Sequence, residues 1–283
     1  MSELLSLREH RPQFRHNKRG VAGLAIVVVV CFVGLFASSL APYGPLEQHL
    51  LQRRQSPSLQ HPMGLDEVGR DNLSRVIYGA RLSVGVGVSC VALATTVGSL
   101  LGMIAGYKGG WWDSLIMSAM DVMLAFPTLL LAIAVIVVLG RGLTNVVYAL
   151  AFAAIPTFAR LMRVGVLVTK ERDYILAAKA IGVGPGRLLW RHVLPDCLAP
   201  LLAQATLGIG TAILEAAGLS FLGLGAQSPT PEWGAMLGQG RGAVFAAPHI
   251  VLYPGLAIML TVLGFNLLGD GLRDMLDPRL DFK

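Results

Sequence analysis

The chain is poor in charge. Only 14% of its 283 residues are Asp, Glu, Lys or Arg, where a soluble domain has about 25%. It is also poor in cysteine. Cys31, Cys90 and Cys197 stand far apart, with no paired spacing, which argues against a disulfide framework or a thiolate metal site and leaves them as small packing residues. No G-x-x-x-x-G-K-[ST] loop occurs. The nearest glycine-rich stretch, "GVGPG" at residues 182–186, has neither the lysine nor the hydroxyl that hold a nucleotide's phosphates, and no buried strand precedes it. H-E-x-x-H pairs and nucleophile elbows are absent, and the six histidines are scattered. These absences argue against a catalyst and against a metal or nucleotide cofactor on this chain.

Apolar residues dominate instead, at 54%. They form runs near the roughly 20 residues that a helix needs to cross the hydrocarbon core. Candidate spans cover residues 21–41, 82–106, 114–140, 145–168, 198–222 and 246–269. The first run is uncharged and too long for a signal peptide, although "FASSLA" at its end mimics a cleavage motif. The third is interrupted by Asp121 and Pro127, and the sixth carries Pro248 and Pro254, which are expected to kink it. The expected fold is therefore an all-α polytopic membrane protein of six transmembrane helices. Residues 1–20 and 271–283 form its tails, 42–81 an extracytoplasmic segment, and 82–270 a five-helix core. The 33 glycines fit close helix packing in lipid.

Six spans put both termini on one side. In a soluble protein the net charge of +6 would suggest nucleic acid; here it is topological, and no nucleic-acid partner is expected. Arg8, Arg11, Arg15, Lys18 and Arg19 precede the first span, and Lys108 follows the second. Arg160, Arg163, Lys170, Arg172, Lys179, Arg187 and Arg191 lie near or within the fourth-to-fifth connection, and Arg273, Arg279 and Lys283 follow the sixth. The other face holds Arg53, Arg54, Arg70, Arg75, Arg81, Arg141 and Arg241. The richer face is expected to be cytoplasmic.

The fourth-to-fifth connection, residues 169–197, breaks the lipid-like pattern. "DYILAAKAI" predicts a short helix, which Gly182 and Gly184 are suited to end. Pro185 fits the first turn of a second helix, with Arg187 and Arg191 four residues apart, and Pro195 is expected to stop it. The pattern predicts a hinged helix pair protruding from the membrane.

Ala177, Ala178, Gly182, Leu194 and Pro195 stand in the register of the EAA loop, and the stretch resembles the one in ABC importer permeases. There it forms a coupling helix that docks on an ATPase subunit. Leu176 replaces the usual glutamate, and His192 stands at an apolar position. Residues 61–87, 220–237 and 253–280 are similar to segments of the C-type permeases of the peptide and nickel importer family, with Leu65 where threonine is usual. The resemblance implies a type I importer permease fold in a bacterial inner membrane. It also implies a homologous second permease in a heterodimer, two cytoplasmic ATPase subunits that bind ATP and Mg, and an extracytoplasmic binding protein. The implied cargo is di- or oligopeptide. Nickel, another metal chelate, glutathione and D-amino dipeptides are the alternatives within the family. An ion-gradient carrier is the competing class, but it would favour more intramembrane charge and an inverted repeat.

Ionisable residues inside spans are costly and usually functional. Asp121 and Glu215 are thus candidates for the translocation path, against the alternative that they tie helices together or sit near the interface. Trp111 and Trp112 are placed as interfacial anchors. Asp71 is expected to cap an interfacial helix. Asp270, Arg273, Asp274 and Asp277 are expected to form a mutually paired, solvated end to the sixth span.

Overall fold

The computed structural model describes residues 17–276. Arg8, Arg11, Arg15, Asp277, Arg279 and Lys283 lie outside the described residues. The described residues form helices α1 (Lys18–Leu35), α2 (Ala37–Leu40), α3 (Asn72–Lys108), α4 (Gly110–Leu124), α5 (Thr128–Leu139) and α6 (Leu143–Thr169). After these come α7 (Asp173–Ala180), α8 (Pro185–Leu188), α9 (Leu194–Phe221), α10 (Trp233–Gly240) and α11 (His249–Leu276). Five helices are long and apolar enough to cross a membrane, or six when the bent pair α4 and α5 counts as one span.

Several boundaries differ from expectation. The helix of the first run stops at Leu35, because Phe36 leaves helical geometry and Ala37–Leu40 forms a separate turn. The second starts ten residues earlier than the apolar run, at Asn72. Asp71 caps it by accepting from Ser74 N, as expected. Arg75 and Arg81 hide this extension from a hydropathy reading, yet Asn72, Ser74 and Arg75 are buried. At 37 residues, α3 is about 55 Å long, well beyond the roughly 30 Å hydrocarbon thickness.

The third run is not one straight crossing. Its two helices meet at 94°, because Pro127 cannot donate to the helix ladder and excludes α geometry from the residue before it. Pro248 does not kink the sixth span; it precedes α11, and its carbonyl accepts from Val251 N and Leu252 N. Pro254 alone of that pair lies inside the helix. The first and last described helices meet at one end of the bundle: Asn17 caps α1 and its amide donates to Asp274 at 3.3 Å. We call this the terminal end, and the opposite one the distal end. At the terminal end Lys108 also lies over the Trp112 ring at 4.5 Å, and Trp111 packs edge-on against Trp112.

The main core lies between α3 and α6, with α5 and α9 against it. Cys90, Ala94, Met103, Leu150, Phe158 and Met162 are buried there. Gly98, Gly102 and Gly106 form a stripe on α3 at four-residue spacing, facing α6 backbone. A Cβ on Gly102 would stand 2.1 Å from the Ala159 carbonyl oxygen. Lipid supplies no hydrophobic drive for helices to associate, so such backbone contact and its dispersion energy hold the pair.

Gly102→Val is therefore expected to lower the thermal unfolding temperature of the detergent-purified protein sharply. Overpacking in a core that can adjust costs about 1–3 kcal/mol, and here the clash is with backbone. Gly85→Ala meets nothing within 4 Å and should leave the melt unchanged or slightly raised. An unchanged melt for Gly102→Val would refute the close approach.

Candidate functional site

The connection from α6 to α9 folds into a hinged knuckle. Helix α7 ends in a Schellman motif: Gly182 N–H bonds the Lys179 carbonyl and Val183 N–H the Ala178 carbonyl. This closure requires a left-handed residue after the cap, and Gly182 has φ +83°. Gly184 is extended instead and precedes α8, with Pro185 in its first turn. Leu189–Val193 then form a π-helical turn, in which Leu194 N–H bonds the Leu189 carbonyl. Pro195 does not stop the chain as expected. The π turn widens the helix where the proline ring would strike the Arg191 carbonyl, and α9 continues to Phe221.

The two faces of the knuckle differ. Ile175, Ala178, Leu188, Val193 and Cys197 are buried in the main core. Ala177, Gly182, Pro185, Arg187 and Arg191 are exposed, while Leu194 and Pro195 are half-buried. The outer face also carries large apolar groups: Ile181 is 82% exposed, Trp190 60% and Leu176 46%. Leu176 thus adds apolar surface where an acid was expected. One acid of this region, Asp196, was passed over by sequence reasoning. It accepts from Arg172 Nη1 at 2.5 Å and from the Tyr174 hydroxyl at 2.7 Å. Partial burial and this hydrogen bond raise the Tyr174 phenol's pKa, so it stays a donor.

The intramembrane acids part company. Asp121 is tied to Arg160, with both side chains half-exposed. Glu215 is half-buried and has no hydrogen-bond or ion-pair partner among the described residues. Asp113, also not foreseen, takes both of its oxygens to Arg163, while Lys170 Nζ reaches the Gly106 carbonyl at 3.4 Å. These bonds tie the terminal ends of α3, α4 and α6.

The distal end holds a buried polar platform that the sequence reading missed. Asp66 accepts from Arg70 Nε at 2.6 Å and lies 3.7 Å from Arg75 Nε. Arg70 and Arg75 both donate to Gln239 in α10, and Arg75 also reaches the Pro45 and Pro229 carbonyls. His61 pairs with Asp71 at 3.0 Å. Glu232 is 2% exposed; it caps α10 and accepts from the Ser83 hydroxyl. Trp233 bonds the Val76 carbonyl through its indole N–H. The stretch "SPTPEWG" is therefore a fastened part of the fold. The available signal was the run of acids and arginines in "LDEVGRDNLSR", too polar for lipid yet rich in mutual partners.

The knuckle is thus locked on its inner side and carries large apolar groups on its outer side. Comparison with known proteins gives the family. Residues 98–282, more than half of the chain, match the model described as binding-protein-dependent transport system inner membrane component. The chain belongs to that family.

Residues 7–57 match the N-terminal transmembrane domain of oligopeptide transport permease C. The dipeptide transport system permease protein DppC of Alkalihalophilus pseudofirmus is 50% identical over 96% of this chain and 90% of its own length. The di/tripeptide transport system permease protein DppC of Pseudomonas aeruginosa is 47% identical over 97% and 92%. The glutathione transport system permease protein GsiD of Escherichia coli is 48% identical over 95% and 89%. A chain of the MetNI methionine ABC transporter in an inward-facing conformation shares the fold, with a TM-score of 0.56 and 18% identity. It covers 72% of this chain, which covers 97% of it. The protein is thus a membrane permease of the ABC importer class, whose family works with ATPase and binding-protein partners.

The platform gives a prediction. Asp66→Ala leaves Arg70 and Arg75 buried without their carboxylate, and breaking a buried pair from one side costs about 3–5 kcal/mol. Limited proteolysis should then cut residues 42–70 far faster than in the parent. An unchanged digestion rate would show that the platform does not depend on this carboxylate.

Proposed function

We propose that this chain is a permease subunit of an ATP-driven importer of di- and oligopeptides. It would form a heterodimer with a homologous permease, and two cytoplasmic ATPases and an extracytoplasmic binding protein would complete the machine. The terminal end, rich in Lys and Arg, is assigned to the cytoplasm, and the platform to the outside. The peptide cargo rests on the two peptide-permease relatives; the glutathione relative supports the second reading, a modified peptide on the same machine.

The observation that carries the proposal is the knuckle. Its buried face moves with α6 and α9, because Ile175, Leu188 and Val193 belong to the same core as Phe158 and Met162. Its exposed face, with Ala177, Pro185, Arg187, Arg191, Ile181 and Trp190, offers an ATPase an apolar tip ringed by cations. Closing of the ATPases would then pull both helices as one body and shift the permease between its facing states. Leu194 and Pro195 anchor the return into α9. Asp121 and Glu215 are proposed to line the path of the cargo at the interface with the second permease. A half-exposed charge among apolar helices cannot face lipid cheaply.

Gly182 tests the coupling role. A Cβ there meets nothing within 4 Å, so any defect comes from the left-handed backbone rather than from a clash. Forcing a side chain there costs about 1–2 kcal/mol. Gly182→Val is expected to leave the permease inserted while ATPase subunits no longer co-purify, or uptake falls despite ATP hydrolysis. Normal uptake with intact ATPase retention would refute the coupling assignment. For the path, Glu215→Gln is expected to reduce uptake, measured in proteoliposomes containing the complete transporter. Unchanged uptake and complex stability would remove Glu215 from it.

A further inference from the structure

The ion pairs that join α4 to α6 are built differently. Asp113 and Arg163 meet through two parallel bonds, with side chains 20% and 31% exposed. This is a saturated, fork-like clamp. Asp121 and Arg160 meet through a single bond, Nη2 to Oδ1, with side chains 61% and 50% exposed. Among the described residues nothing else bonds Asp121 Oδ2, nor Nε and Nη1 of Arg160. One acceptor and several donors therefore remain open side by side.

Their place in the bundle is specific. Asp121 lies about 16 Å along α4 from its terminal end, and Arg160 about 14 Å along α6 from the same end. On α6 Arg160 lies about one turn inward of Arg163, and on α4 Asp121 lies about two turns inward of Asp113. Asp121 is in the last turn of α4, directly before the 94° break. A carboxylate at a helix C-terminus opposes the helix dipole, so local stability does not explain it. Discontinuous helices line the substrate sites of secondary transporters, and the break beside Asp121 is of that kind.

We infer that Asp121 and Arg160 form a clamp for the two charged ends of a short peptide with free termini. The inference rests on the peptide-permease reading above. An extended dipeptide spans at most about 7 Å, a gap that the long arginine side chain can open by swinging from the carboxylate. The ammonium then takes the place of Arg160 on Asp121, and the peptide carboxylate takes the place of Asp121 on Arg160. When no cargo is present the two residues neutralise each other, so neither state leaves a bare charge in the membrane. Cargo entry is an exchange of charge partners, with little added desolvation. Such a clamp reads the termini and ignores the peptide's side chains.

The test uses the complete transporter, with its second permease, ATPases and binding protein, in proteoliposomes with labelled Ala-Ala outside. Three variants are compared at equal complex yield: Asp121→Asn, Arg160→Gln and the double variant. Each single substitution removes one charge-assisted hydrogen bond to the peptide and should lower uptake about tenfold. The double variant removes both and should be the lowest, near a hundredfold down. A pair with only a structural role gives the opposite order. There the single variants strand a charge, and the double variant, which strands none, recovers toward the parent in uptake and yield. That recovery, or parental uptake in the single variants, overturns the clamp and leaves the peptide reading standing. A parent transporter that takes up no Ala-Ala overturns both.

Discussion

The backbone of α3 lies directly on the backbone of α6, and most of the molecule depends on that close approach. Gly98, Gly102 and Gly106 remove three side chains from one face of α3. The carbonyls of α6 come so close that a methyl group at Gly102 would overlap Ala159. Small residues at a helix interface do in lipid what apolar burial does in water: they maximise close packing where hydrophobic collapse does not operate. Once α6 is fixed, so are Arg160 and Arg163, and so is the chain that leaves it at Thr169.

Under the proposed coupling role, that rigid pair would let a cytoplasmic motor act on the membrane helices through one short segment. The knuckle has its inner side chains in the same core as α3 and α6, so it cannot swing freely. Its hydrogen bonds are closed locally by the Schellman turn at Gly182 and by the π turn before Pro195. The tie from Asp196 to Arg172 and Tyr174 braces the base. A force on Ile181 or Trp190 would therefore be passed to helices rather than absorbed by a loop.

The distal platform solves a different problem. A bundle proposed to open and close needs a rim that keeps its shape, and the rim at the distal end is polar. Two arginines, Asp66 and Gln239 bind the segment after α1 to α10, while Glu232 and Trp233 bind α10 to α3. Buried polar groups of this kind are costly when half satisfied and rigid when fully satisfied. The network is nearly complete; among the buried side-chain atoms left without a partner, Asn72 Oδ1 belongs to this region.

The membrane class, the approximate spans and the knuckle were legible in the sequence, because hydrophobic length, glycine handedness and proline position act locally. The role of Gly182 followed from its neighbours alone. Pro195 was misread for the same reason: a proline forbids one hydrogen bond, but whether a helix ends or widens there depends on what the following residues pack against. The helix start at Asp71 was legible, but its continuity with the second span was hidden because Arg75 and Arg81 are polar in sequence. Asp121 stood out as an isolated acid, yet its partner lies 39 residues away, and no local pattern pairs it with Arg160 rather than Arg163. The sequence determined which segments enter lipid and where the backbone must turn, since those follow from transfer energy and local stereochemistry. Only the tertiary structure decided which charges meet, because that depends on the relative depth and rotation of helices, set by glycine packing distant in the chain.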